Sequence, residues 1–534
     1  MKIFKNSQKE QFKRKKSFFI FFLIIIAGLS FYFAHNIFAS STIYVNSLTG
    51  NDSTGDGSAG SPYKTFHKGY TMAVSGDTLD LTGTFTWTDA DETGDVAGSG
   101  YIINKNLTIQ GQGTEETIVQ AANSPGIANR NIFSTTNIPS ATVIIKNLTL
   151  QNGVASSSGN AGGAITNNFN LTLEHVNVKN NRGDFGSSMH GAGAIYSNVF
   201  ITIRYSTIEN NNYVGNIYGS GGVYIGQDGT AVIENSTFTN NDAITANPTS
   251  FPFSYAHPSG AFGSRRYGSA GRITNSTFFN NSTNSYGGAI QLWFQEWIIT
   301  NSTIINNTAG LGAGGILWES SGGISKLFLK NTILANNIGG GVENDFHAYD
   351  TTSENLVNDN GYNIVEYSTN KTWDGPGNIT GNQENLRVDT QLRENDTIYG
   401  PYTLALLPGS VAVDAGDPTN AENQGIPIPV LDQRGSERLG ITDIGAYELA
   451  GFIPEPPTNI QATDGTHTDK VTITWTKSYG ATGYIVYRDN IDISGLLGDV
   501  ATYDDTEADA GTITPGQTQA TKGEEVESVN LALE

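Results

Sequence analysis

Ile233-Glu234-Asn235-Ser236-Thr237-Phe238-Thr239-Asn240-Asn241 recurs at Ile273-Thr274-Asn275-Ser276-Thr277-Phe278-Phe279-Asn280-Asn281, and looser copies lie on either side. Aligned on the next-to-last Asn or its equivalent, the copies fall at Asn152, Asn180, Asn210, Asn240, Asn280, Asn306 and Asn336, with spacings of 28, 30, 30, 40, 26 and 30 residues. Two positions earlier runs an apolar column: Leu150, Val178, Ile208, Phe238, Phe278, Ile304 and Leu334. Seven earlier runs another: Ile145, Leu173, Ile203, Ile233, Ile273, Ile299 and Leu329. Between copies comes a small-residue pair with apolar followers, as in Gly162-Gly163-Ala164-Ile165 and Gly287-Gly288-Ala289-Ile290.

A period of this length marks a stacked architecture in which each unit buries its apolar face against its neighbours. The apolar runs are short, β-branched and bounded by Gly, Asn and Ser, so the units are built from strands. No window sustains a helical period. The expected fold is all-β, a right-handed parallel β-helix spanning 141–337, with the two columns stacked inside. The recurring Asn should hold a left-handed bend and bond to the coils above and below. The Gly pair should sit where no Cβ fits.

With 63 Gly, 15% charged residues and a net charge of −22, the chain has ample core and little surface charge density. The first 40 residues hold seven Lys or Arg against one Glu, and beyond them the balance is 22 basic to 50 acidic. That balance disfavours nucleic acid and anionic membrane as partners. Cys is absent, which excludes disulfides, a Cys-based metal site, a thiol nucleophile and a lipoprotein anchor. No cofactor or metal is expected.

Residues 1–41 read as an export signal. A basic block ends at Lys13-Arg14-Lys15-Lys16, an apolar run follows from Ser17 to Ala34, and small residues stand at Ala39-Ser40-Ser41. Cleavage at 39–41 is the first reading and an uncleaved membrane anchor the alternative. In both, the remainder crosses the cytoplasmic membrane and is secreted or held at the cell surface. Residues 42–140 should form the N-terminal cap and first coils, with a short amphipathic helix through Phe66, Tyr70 and Ala73 or Val74.

This opening, Tyr44-Val45-Asn46 to Ser75-Gly76-Asp77-Thr78, resembles the start of exported, pectate-lyase-like right-handed β-helix proteins. The Gly-Gly-Ala-Ile and Phe-x-x-Asn pairs (Phe238 with Asn241, Phe278 with Asn281) are similar to the repeats of polymorphic outer-membrane adhesins. Residues 338–450 should hold the C-terminal coils and a closing module. There, Leu404 to Asp417 and Asp432-Gln433-Arg434-Gly435 to Glu448 resemble the end of the choice-of-anchor Q family, exported β-helix proteins with varied C-terminal surface anchors. The run departs from that family at Ser410-Val411-Ala412. Asp414, Asp417, Asp432, Arg434, Arg438, Asp443 and Glu448 could serve acid–base chemistry; the preferred reading is a salt-bridged plug that seals the last coil. After a Pro-rich linker at 451–457, residues 458–534 resemble part of a fibronectin type III module through Val471-Thr472-Ile473-Thr474-Trp475 and Gly483-Tyr484-Ile485-Val486-Tyr487. Gln519-Ala520-Thr521 repeats Gln461-Ala462-Thr463, which reads as a second module opening in a longer protein.

The 40-residue unit carries an insertion, 248–272, that holds Tyr255, His257, Arg265 and Arg266, and the following coils carry Trp293, Trp297 and Trp318. A column read as Thr166, Tyr196, Ile225, Gly263, Gln291 and Trp318 should face water if its neighbours face inward. Tyr196, Tyr255, Arg265, Arg266, Trp293, Trp297 and Trp318 are therefore the candidate glycan-binding residues, unless the insertion folds back over them. The expected function is non-catalytic adhesion or glycan binding at the surface, with an extracellular glycan or a host or neighbouring cell as partner. A polysaccharide lyase or glycosidase acting on acidic or neutral glycans is the alternative, with His190, His257, Arg265 and Arg266 as catalytic candidates. A structural surface-layer spacer is the third reading. Carboxylates within the coils are isolated, which weighs against a hydrolase.

Overall fold

The computed structural model describes residues 40–521 with interruptions, the longer ones at 137–140, 156–159, 186–189, 249–257, 265–268, 320–324, 395–401, 450–456, 479–482 and 508–515. One coil shows how the repeat folds. Phe200–Arg204 and Thr207–Glu209 run on either side of a bend at Tyr205, Asn212–Val214 follows a second bend, and Val223–Ile225 leads round to Thr230–Glu234. Each strand pairs in parallel with its counterpart one coil on: Ile203 with Ile233, Ile208 with Phe238, Tyr213 with Ala243, Val223 with Phe262. Stacking these units gives sheets of 19, 11 and 8 strands running the length of a parallel β-solenoid.

The two apolar columns line the bore. Ile145, Leu173, Ile203, Ile233, Ile273, Ile299 and Leu329 are no more than 1% exposed, and the column from Leu150 to Leu334 is fully buried. Phe238 stacks on Phe278 at 4.7 Å, 11° from parallel. Each such side chain contributes about 1.5–3 kcal/mol by leaving water. The bends rest on two adjacent Asn rather than one. Asn180, Asn210, Asn240, Asn280, Asn306 and Asn336 adopt φ of 53–58°, the left-handed region that Asn tolerates. Their followers build the amide ladder inside: Asn181, Asn211 and Asn241 each donate from Nδ2 to the Oδ1 of the next coil's Asn at 3.0 Å, and Asn281 and Asn307 do so at 2.9 Å. Asn337 ends the ladder on Asp345 Oδ1 at 2.8 Å. A Cβ on Gly163, Gly193, Gly221, Gly260 or Gly288 would lie 2.0–2.3 Å from the backbone oxygen of the matching Gly one coil on, so the column admits no side chain.

The helix Phe66–Met72 lies at the N-terminal end. Thr65 caps it, and Phe66 packs against Trp87, Tyr101 and Phe133. Glu92 accepts from the Phe66 and His67 amides at its first turn. At the other end the coil outlasts the sequence repeat. Val357–Asp359, Ile364–Val365 and Ile379–Thr380 extend the largest sheet, and Trp373 closes over Phe346 at 5.2 Å.

The closing module is not a plug. Residues 402–449 lie as a strap across the outer flank of four coils: Thr237 bonds to Tyr402, Thr277 to Gln433, Thr303 to Ala446, and Asn331 to Asp417 and Gly445. The cause is a change of side chain on the outside. The position before each left-handed Asn reads Gln151, Lys179, Glu209, Thr239, then Phe279, Ile305, Ala335. Phe279, Ile305, Ile333 and Ile364 need cover, and Leu404, Leu406, Ala412 and Ile444 supply it. Asp417 pairs with Lys330 at 2.6 Å, Arg434 with Asp432 at 2.7 Å and Arg438 with Glu448 at 3.2 Å; Asp443 accepts from the Asp414 and Leu449 amides.

Beyond the linker, two three-stranded antiparallel sheets enclose Ile473, Trp475, Tyr484 and Val486. The expected strands at Val471 and Gly483 are present. Gly516–Thr521 pairs with Gly483–Arg488 in the same module, where a second module had been expected to open. Of the segment 1–41 expected to direct export, residues 1–39 lie outside the described residues.

Candidate functional site

The aromatics singled out from the sequence do not form a solvent-facing row. Tyr255, His257, Arg265 and Arg266 lie outside the described residues. Trp297 points into the bore, edge-on to Phe262 at 5.4 Å. It occupies the space left by Ala231 and Gly271 at the same position of the two preceding coils. Trp318 also lies in the core, because its strand register is Leu317 beside Gln291, with Trp318 beside Leu292 and Ala348. The small pair of this coil is Ala313-Gly314, with Gly315 at the position of Ala289, so the strand begins one residue earlier than the Gly314-Gly315 pair suggests, and one residue exchanges the faces of a strand. The outward column therefore reads Thr166, Tyr196, Tyr224, Gly263, Gln291 and Leu317. Tyr196 and Trp293 do stand on that outer face, but in a buried cluster with Tyr218 and Tyr224, on which His190 also stacks. This layer is packed.

The outer flank of the largest sheet holds a different arrangement. Between its two strands each coil makes a left-handed bend, occupied in order by Asn147, His175, Tyr205, Asn235, Asn275, Asn301, Asn331 and Tyr362, with φ between 47° and 56°. Five are Asn, as sterics favour. His is also among the types enriched there, whereas a bulky Tyr at positive φ is an outlier. Strain of this kind costs about 1–3 kcal/mol and gathers at functional sites. The His175 and Tyr205 rings stack at 5.0 Å, 13° from parallel, and both residues are half-buried.

Polar groups flank the rings in register. Arg204 donates from Nε and Nη2 to Glu174 Oε2 at 3.1 and 2.6 Å, and Asn177 donates to Glu209 at 2.9 Å. Burial lowers the His175 pKa, with Arg204 adding to that effect and Glu174 opposing it, so the ring is neutral at neutral pH. Further along the same column the strap takes over: Arg438 and the Leu431 carbonyl bond to the Asn275 side chain, and Asp417 to that of Asn331. The aromatic pair thus stands where the strap does not reach the column. Two rings beside a mixed donor–acceptor set can stack on the C–H face of a sugar and bond to its hydroxyls. The signal was present in sequence, five residues before each of the seven aligned Asn, as two adjacent aromatics among Asn; Tyr362 takes the same bend beyond the last of these copies, without an aromatic neighbour in the coil before it.

One other grouping has a structural explanation. A cavity of about 610 Å³ near the N-terminal helix is lined by Lys64, Asp89, Asp91, Glu92 and Glu116. Burial pushes Glu92 up to about 7, yet both its oxygens serve the helix amides. Among the described residues no three His, Asp or Glu converge as a metal site.

No protein-family model matches the chain, and no curated protein matches it. Among solved structures it is similar to the pectate lyase Pel9A, at 15% identity over 77% of this chain and 96% of that one, with a TM-score of 0.41. It is also similar to XylC in complex with xylose, at 10% over 76% and 98%, TM-score 0.39. The mannuronan C-5 epimerase AlgE6 A-module of Azotobacter vinelandii follows at 15% over 58% and 92%, TM-score 0.26. These likenesses concern fold alone, and the chain is a parallel β-solenoid with pectate-lyase-like neighbours.

Proposed function

We propose that this chain is an exported, non-catalytic β-solenoid that binds glycan at the cell surface through the flank carrying His175 and Tyr205. The observation that carries the reading is the replacement of Asn by two stacked rings in neighbouring coils, Tyr205 at a strained backbone position, beside Arg204 and Glu174. A spacer would gain nothing from that strain, whereas a ligand that stacks on the rings offsets it. The basic and apolar order of residues 1–41 supports export.

The test uses Asn, the column's own residue. Full-length chain carrying His175→Asn and Tyr205→Asn should lose about tenfold or more in retention on polysaccharide gels, since an aromatic contact contributes about 0.5–1.5 kcal/mol. The same variant should melt no lower than the parent. Unchanged retention, or retention of no polysaccharide by the parent, removes the reading. Release of new reducing or unsaturated ends would replace it with a hydrolase or lyase.

A further inference from the structure

The charges around the aromatic pair point to the class of glycan, and this inference rests on the glycan-binding reading above. Along the outside of the sheet Lys146, Glu174, Arg204 and Glu234 stand in register on successive coils, alternating in sign. Arg204 is held by Glu174 at 2.6 Å, and Arg272, in the adjoining column, by Glu234 at 2.8 Å. Both arginines keep these partners on half-exposed side chains. Farther along the flank Lys330, Arg434 and Arg438 are paired with Asp417, Asp432 and Glu448.

A polyuronate needs cations to neutralise its carboxylates. To use Arg204 it would have to displace Glu174 and leave that carboxylate beside its own. It would also approach a chain of net charge −22, whose excess beyond residue 40 is 22 basic to 50 acidic. Sugar hydroxyls meet no such opposition: each can donate to Glu174 or Glu209 and accept from Arg204 without breaking a pair. We infer that the flank at His175 and Tyr205 takes a neutral polysaccharide and rejects a polyuronate.

The experiment compares retention of the full-length chain on a neutral glucan or xylan and on polygalacturonate, at low and physiological salt, for the parent and for Glu174→Gln. The parent should hold a neutral polymer at least about tenfold more tightly than polygalacturonate. Glu174→Gln frees Arg204 and should raise polygalacturonate retention in a salt-sensitive way; Glu234→Gln, acting on Arg272, is the second variant should the first misfold. Equal or tighter binding of polygalacturonate by the parent overturns the inference, and if that binding still falls in His175→Asn/Tyr205→Asn the glycan reading survives it. Retention of neither polymer class removes both.

Discussion

An Asn at a left-handed bend costs little, and one facing the next coil forms hydrogen bonds; the repeat assigns these tasks to neighbours. Asn240 holds φ 53°, whereas Asn241 donates to Asn281 Oδ1 and the Ile208 carbonyl and accepts from the Asn211 amide and side chain. Asn241→Ala should therefore cost about 3 kcal/mol, by leaving several buried polar groups unpaired. Asn240→Ala should cost about 1 kcal/mol, because Ala lacks the short polar side chain whose local hydrogen bonding lets Asn tolerate that region. Chemical denaturation of the two variants gives the comparison, and equal losses would refute the division of labour. The doubled Asn was legible in the sequence, but which of the pair turned inward was not, because both types of use favour Asn. Tyr205 and His175 were equally legible as departures from Asn. Their proximity as stacked rings depended on parallel, in-register pairing of two coils.

At the scale of the element, the strap 402–449 is held by a few buried ion pairs over a small apolar patch. Lys330 and Asp417 are only 6% and 4% exposed in their side chains. Asp417 is opposed by burial, yet Lys330 and the Thr419 bonds hold it down to about 2. Lys330→Met leaves that carboxylate buried without its counter-charge and should cost about 3–5 kcal/mol. Lys330→Met with Asp417→Asn should recover part of the loss, since Asn can still accept from Thr419. Limited proteolysis, followed as cleavage within 402–449, reads this directly; indifference to Lys330→Met would mean the strap is held by its apolar contacts alone. The sequence marked Asp417, Asp432, Arg434, Arg438 and Glu448 as part of a salt-bridged closing motif, without Lys330. Their place on the flank followed from Phe279, Ile305 and Ile333 facing outward, a consequence of strand alternation that is visible only once the register is fixed.

Across the whole molecule, Glu92, Asp345 and Asp443 are each pushed up to about 7, first by burial, and for Asp443 next by Glu448. Each binds its proton more tightly folded than unfolded, so stability is greatest below the ordinary carboxylate range and falls as pH rises through about 7. Asp417 acts oppositely: its contribution is present above the ordinary range and is lost as pH falls towards about 2. Together these place the stability maximum on the acid side of neutrality, with a melting temperature several degrees higher near pH 5 than at pH 8. Scanning calorimetry across that interval tests it, and a maximum at or above pH 8 would contradict it.

The sequence by itself determined the solenoid, because a periodic pattern of β-branched and apolar residues between Asn and Gly has one economical way to bury itself: stacking against copies of itself. It also determined the two apolar columns that line the bore, since they recur in every copy of the repeat. The outside was decided by tertiary structure. Whether Tyr196, Trp297 and Trp318 faced water turned, in order, on packing against Tyr218 and Tyr224, on volume left by Ala231 and Gly271 in neighbouring coils, and on a one-residue shift of reading at Gly314-Gly315. Such shifts and vacancies belong to pairs of coils, and no single stretch of the chain contains them.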